Sequence, residues 1–344
     1  MPYFVGLDTS KKTTSVCVID AAGVVVREGV VETSPPAIIG FLRGEGRRYA
    51  RVGMEAWSIA PWLYAGLAKG RLPIFCIEVH HAHGILKTRR NKSDRNDARG
   101  IAEMMRVGAF RQVHVKSDWS REVRAMLVAR TALVTKAGDL ANLIGGTLLT
   151  FGLKLGRLQR RTFERRALAL TEQNPAARAV VAPLLRARAA LIEERNAIES
   201  RLLAIAQSDP VCRRLMTAPY VGPLTALLYK TAIDEPGRFG RSRNVGAHLG
   251  LTPRLHQSGE ISTLGRVTRA GDAAVRTALF IAAIGQLKTN VRPNWLRAWA
   301  LDLAERRGRK KAAVALARRL AIVLHRMWIS ETDFRWEGPA APAA

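Results

Sequence analysis

The period at which apolar residues recur changes once along the chain, and that change limits the folds open to it. Over the first hundred residues, the short β-branched runs YFVGLDTS, TTSVCVIDAAG and VVVREGVVET follow one another with only tight turns between them. This is the pattern of an antiparallel meander. SPPAIIGFLRGEG then has prolines at a helix start, ARVGMEAW reads as a strand, and SIAPWLYAGLAKG as a helix closing on Gly70. LPIFCIEVH is another strand, and the amphipathic DARGIAEMMRVGAF follows it. The expected order is βββαβαβα, an α/β unit whose mixed sheet carries helices on its faces. From residue 118 to 208 strand signals vanish. Two long Ala/Leu/Arg-rich stretches predict helices that pack as a hairpin or as a coiled coil between subunits. Residues 209 to about 330 are helical again, broken by TAPYVGPLTA and by the loop-like GLTPRLHQSGEISTLGRVTRAG. The tail WEGPAAPAA reads as frayed.

Charge narrows the partners. The chain of 344 residues holds 55 Lys and Arg against 28 Asp and Glu, a formal net charge of +27. The excess runs through every third of the sequence, so most of the molecule is expected to lie along a polyanion, nucleic acid first among them. Cys17, Cys76 and Cys212 are odd in number and scattered, which fits a reducing compartment and small core residues. No charged-then-apolar leader and no apolar run of about 18 residues is found, so a cytoplasmic protein with no membrane partner is expected.

The chemistry-bearing residues stand at the ends of the predicted strands. Asp8 closes the first, Glu55 the fourth, and Asp94 and Asp97 follow the fifth in RRNKSDRNDARG. One reading of this last stretch is local ion pairing at a helix start, where the dipole favours carboxylates. Asp8 alone reads more readily as a turn former than as a ligand. Glu55 is harder to dismiss, because it places a charge in an apolar run. If strands one and four are neighbours, the four carboxylates converge on one edge. Their mutual repulsion then calls for divalent cations with hard oxygen ligands, Mg²⁺ or Mn²⁺. A two-metal site of this kind can activate a nucleophile and stabilise a leaving oxygen at a phosphodiester.

With Asp8 in GLDTSKK, Glu55 in GMEAW, and Asp94 and Asp97 in KSDRNDARGIAE, the chain resembles the DEDD transposases of the insertion-sequence one-ten family. The N-terminal domain of that family is similar to the RuvC resolvase within the ribonuclease H-like fold. The chain departs at EAWS, where many relatives have Thr-Gly after Glu-Ala. TAPYVGPLTALL resembles the family's helix-hairpin-helix-like element, with Tyr220 in place of its first glycine, and backbone N–H groups beside Gly222 are candidates to cradle a phosphate. Ser258 in PRLHQSG lies where the family carries its nucleophilic serine. From the residues alone it is an ordinary loop serine.

The resemblance implies a RuvC-like catalytic domain over 1–117, a helical coiled-coil linker and oligomerisation arm over 118–208, a C-terminal transposase domain over 209–335 and a flexible tail over 336–344. It also implies a metal-assisted serine recombinase that forms a covalent phosphoserine intermediate. Its partners would be donor and target DNA, a structured bridge RNA, and further copies of the chain in a dimer or tetramer. Arg254, Arg266, Arg269 and Arg276, around the serine segment, are expected to bind the nucleic-acid backbone. Two alternatives stay open: a related nuclease that activates water, and a nucleic-acid-binding protein without catalysis. His80, His81 and His83 lack the partners of a zinc site and read instead as facing nucleic acid. The basic amphipathic run ERRGRKKAAVALARRLAIVLHRMW suits phosphate contact beside a packed apolar face.

Overall fold

The computed structural model describes residues 1–43, 46–79, 93–156, 162–258, 261–288 and 292–338. The histidines at 80, 81 and 83 lie outside them. The chain divides into two compact units, 1–116 and 117–344.

The first unit is built on a five-stranded sheet of order β3-β2-β1-β4-β5. Its strands are β1 (Tyr3–Thr9), β2 (Thr13–Ile19), β3 (Val25–Glu32), β4 (Tyr49–Glu55) and β5 (Ile74–Ile77). β1, β2 and β3 pair antiparallel, as the meander predicts, while β1–β4 and β4–β5 pair parallel. Both faces are buried, because alternate residues feed two cores. Val5, Leu7, Val16, Val18, Val52 and Met54 pack under α1 (Pro35–Arg43) and α2 (Ala60–Lys69). Phe4, Cys17 and Ile19 pack under α3 (Asp94–Val107).

α3 begins where the sequence signals place it. The Ser93 hydroxyl caps it by accepting from the Asn96 N–H at 3.3 Å, and Gly108 ends it in the left-handed region at φ 75°. It lies directly on β1, since a Cβ added to Gly6 would stand 2.0 Å from the Ala98 carbonyl oxygen and 2.4 Å from the Ala102 nitrogen. Only glycine permits that approach.

In the second unit, α4 (Asp118–Thr150) and α6 (Pro175–Ser208) form an antiparallel pair, with α5 (Phe163–Leu170) across the far end. Ile144 and Leu148 of α4 meet Val181 and Leu185 of α6 there. At the near end Val123, Leu127, Leu202 and Ala206 enter a large core shared with α7 (Pro210–Met216), α8 (Pro223–Ile233), α9 (Arg243–His248), α10 (Ala273–Gln286), α11 (Trp295–Arg307) and α12 (Arg309–Ile329). The three cysteines are buried thiols without disulfide partners. Among the described residues, no helix is long and apolar enough to cross a membrane.

Two sequence expectations are corrected here. The stretch read as loop-like contains a β-hairpin, β6 (Pro253–Ser258) paired antiparallel with β7 (Ile261–Val267). Its side chains from Arg254 to Gln257 are exposed, so the apolar-in, polar-out alternation that announces a half-buried strand is missing. Trp336, assigned to a frayed tail, instead packs edge-on against Phe334 at 5.5 Å, and its carbonyl accepts from the Trp295 N–H at 3.3 Å. An indole at the rim of a core has more to gain from burial than from water.

The close approach of α3 is directly testable. Gly6→Ala is expected to cost about 3 kcal/mol or more in urea unfolding, at or beyond the upper end of overpacking penalties. Gly40→Ala, in α1 where an added Cβ meets nothing within 4 Å, is expected to be neutral or stabilising by up to about 1 kcal/mol.

Candidate active site

The sheet brings Asp8 and Glu55 side by side. Leu7 pairs with Met54 in the parallel register, so the next residues, Asp8 and Glu55, stand together at the C-terminal ends of the two central strands. Both lie on the α3 face, two residues beyond Gly6 and Gly53, whose added Cβ atoms would run into α3. Each side chain is half-buried. The same end is closed by Trp57, whose Nε1–H donates to Thr9 Oγ1 at 2.7 Å, and by the Ala56 N–H, which donates to the Ile77 carbonyl at 3.0 Å.

α3 runs antiparallel to β1. Near its C-terminal end the Met105 carbonyl accepts from Arg51 Nη1 at 2.6 Å, and Ala98 lies over Gly6. The first turn, with Asp94 and Asp97, therefore falls at the edge that carries Asp8 and Glu55. Rotation of the helix is set by Glu28 on β3. Its carboxylate accepts from Arg95 Nε at 2.6 Å and from Arg99 Nη2 at 2.8 Å, with a second contact from Arg99 Nε. Arg95 and Arg99 are one turn apart and face β3, while Ala98, Ile101 and Met105 face the sheet. At about 100° per residue, Asp97 then lies on the opposite flank, toward β4 and β5. Asp97 is half-buried and Asp94 exposed.

Asp8 and Glu55 thus share one end and one face of the sheet, and the first turn of α3 is directed toward that end. Among the described residues, however, no three His, Cys, Asp or Glu side chains are close enough to hold a metal ion. The donor set is nonetheless all hard oxygen, the chemistry that suits Mg²⁺ or Mn²⁺. Glu28, a fifth carboxylate on this face, was not singled out from the sequence. Its signal is the pair of arginines four residues apart in RNDAR. The two guanidiniums, Arg99 foremost, hold its carboxyl down at about 2 against partial burial, so it is committed to an ion pair.

In the second unit Ser258 ends β6, opposite Ile261 of β7. The arginines around it differ in what they do. Arg276 Nη1 donates to the carbonyls of Ala270 at 2.5 Å, Gly271 at 3.1 Å and Leu249 at 3.3 Å, tying the loops that frame the hairpin. Arg254 Nη2 reaches the Thr268 carbonyl at 3.4 Å across the hairpin base. Arg266 and Arg269 are exposed. Gly222 caps α8 immediately before Pro223, and a Cβ added there would meet nothing within 4 Å. Tyr220 adopts φ 62°, the left-handed region that glycine takes without strain, and its ring lies against Gly285.

The DEDD_Tnp_IS110 transposase family model matches residues 5–152, and the model for the Transposase IS116/IS110/IS902 family matches residues 212–299. The chain is 31% identical to a transposase for insertion sequence element IS1111A of Coxiella burnetii, over 96% of this chain and 90% of that protein. It is 27% identical to a transposase for insertion sequence element IS1328 of Yersinia enterocolitica, over 71% and 72% respectively.

The Glu28 clamp predicts a pH window. A carboxyl held at about 2 in the fold against an ordinary 4.5 contributes stability that is complete above 4.5 and lost as pH falls through about 2. Because Arg95 is largely exposed, Glu28→Gln is expected to cost only about 1–2 kcal/mol at pH 7. That difference should shrink below pH 4.5 in chemical denaturation.

Proposed function

The chain belongs to the IS110 (insertion-sequence one-ten) family of DEDD transposases, and from that premise we propose that it moves its element by serine-mediated strand exchange. As a transposase it acts on DNA. What supports the finer reading is that Asp8 and Glu55 stand side by side at the ends of the two central strands of the 3-2-1-4-5 sheet, with the first turn of α3, which carries Asp94 and Asp97, directed toward the same end. That strand order, antiparallel through β3-β2-β1 and parallel through β1-β4-β5, supports a RuvC-like, ribonuclease H-like first domain.

In this reading the Ser258 hydroxyl attacks a DNA phosphorus. A serine oxygen–phosphorus bond forms, the bond from phosphorus to the 3′-oxygen breaks, the hydroxyl proton is lost, and the departing 3′-oxygen takes one up. The product is a 5′-phosphoserine ester and a free 3′-hydroxyl. Reversal by a different 3′-hydroxyl joins a new strand with no external energy source, because the ester conserves the phosphodiester bond. A divalent cation, Mg²⁺ or Mn²⁺, held by the four carboxylates would supply the Lewis acidity that lowers the proton affinity of the hydroxyl. Arg254, Arg266, Arg269 and the α8 start at Gly222 serve the DNA backbone, while Arg276 ties the loops at the base of the hairpin that carries the serine.

The helical pair α4–α6 supports assembly of several copies, dimer or tetramer. It is about 50 Å long, and it leaves Val128, Leu143, Leu149 and Val180 exposed. The basic excess runs through every third of the sequence, which fits the load of a structured bridge RNA as a further partner beside DNA.

Purified protein given Mg²⁺, RNA transcribed from the element's flanks and labelled donor DNA is expected to yield an adduct that survives denaturing electrophoresis. Ser258→Ala should abolish it. Asp8→Asn or Asp97→Asn should lower its formation on the order of 10²-fold or more, as for loss of other electrostatic groups at a reacting centre. Cleavage that persists in Ser258→Ala would establish water as the nucleophile. Binding without cleavage in all forms would sink the catalytic reading.

A further inference from the structure

We propose that the groove between the β6–β7 hairpin and α12 seats a single-stranded segment of nucleic acid, with phosphates along its rim and bases over its floor. The groove encloses about 1230 Å³. Arg266 and Arg269 line it from the hairpin side, and Lys310, Lys311, Arg318 and Arg319 line it from α12. Among the described residues no Asp or Glu lines it. Six cations held together with no acidic partner among the described lining residues repel one another, and a polyanion relieves that repulsion.

α12 spends one face on the core, through Ala313, Leu316, Leu320 and Leu324. The cations stand on a neighbouring stripe, in two pairs eight residues apart, or about 12 Å along the helix axis. That spacing presents charge at two points along a strand rather than at one small anion.

The floor distinguishes a single strand from a duplex. Val314, Ile322 and Trp299 give it an apolar, aromatic surface, which a duplex, with its bases stacked inside, would leave unused. Single strands offer free base faces to such surfaces. Arg319 adds a planar cation held in place, its guanidinium 4.3 Å from the Trp299 ring centre and 5.1 Å from that of Trp295. Pro253, where β6 starts, also lines the groove. From there β6 runs to Ser258, about 17 Å on, so a strand leaving the groove along the hairpin heads toward that residue. The inference rests on the strand-exchange reading for where the strand goes, though not for its binding.

The test uses the full chain and fluorescence anisotropy, with labelled single-stranded DNA, single-stranded RNA and duplex DNA of about 20 nucleotides, the scale of a few single-strand sites. One variant combines Arg266→Ala, Lys310→Ala and Lys311→Ala, all exposed. A control combines Arg165→Ala, Arg166→Ala and Arg178→Ala, equally exposed on α5 and α6, and removes the same charge elsewhere. The groove variant is expected to bind single strands about 10- to 100-fold more weakly, with the salt slope reduced by about 2, and the control to stay within about threefold. The larger loss, with DNA or with RNA, names the strand that occupies the groove. Equal losses in the two variants, or a loss confined to duplex, would overturn the proposal. Adduct formation by a groove variant that binds normally would remove the groove alone. Groove-dependent binding by a wild-type chain that forms no adduct would remove the strand-exchange chemistry alone.

Discussion

A backbone-to-backbone contact, α3 on β1 at Gly6, organises the first unit. With no side chain at Gly6 the helix sinks until its carbonyls and amides touch the central strand, and Gly53 on β4 clears the neighbouring path. Depth and direction are thereby set by sterics, which are stiff. Rotation about the helix axis is set by the ion pairs from Arg95 and Arg99 to Glu28, which are softer. Together they leave the acidic first turn of α3 facing the edge where Asp8 and Glu55 end their strands.

Asp8, Glu55 and Asp97 are half-buried rather than buried. Each stands at the end of an element, where the side chain keeps access to water and a charge costs less to hold. The same logic applies in the second unit. Its core is Ala- and Leu-rich and holds α7, α8, α10 and α12 tightly, whereas the hairpin that ends at Ser258 carries exposed side chains along both strands. Rigid scaffolding and reactive or binding residues are thus kept on different parts of the fold, and the basic stripe of α12 borders both.

Much of this was legible in the residues. The βββαβαβα order followed from β-branched runs and Gly/Pro punctuation, which also put Asp8 and Glu55 at strand ends and Asp94 and Asp97 at a helix start. Ser93 and Gly108 marked the limits of α3. The β6–β7 hairpin was not legible, since from Arg254 to Gln257 its first strand is exposed on both faces and lacks the period that reveals strands. Tyr220 looked like a substitution for glycine. The structure finds it at the positive φ that glycine would favour, its strain offset by packing against Gly285. Arg276 looked like its arginine neighbours until its guanidinium was found among three loop carbonyls.

The sequence by itself determined which elements form, the β6–β7 hairpin apart, which of them carry acidic or basic residues, and that a polyanion is the partner, because periodicity, caps and net charge are local or additive properties. Only the tertiary structure decided that β1 and β4 lie side by side, that α3 descends at Gly6 with its first turn toward Asp8, and that hairpin and α12 cations line one groove. Those are pairings between residues distant in the chain, and they depend on shape, on how closely two backbones can approach, which no single stretch of sequence records.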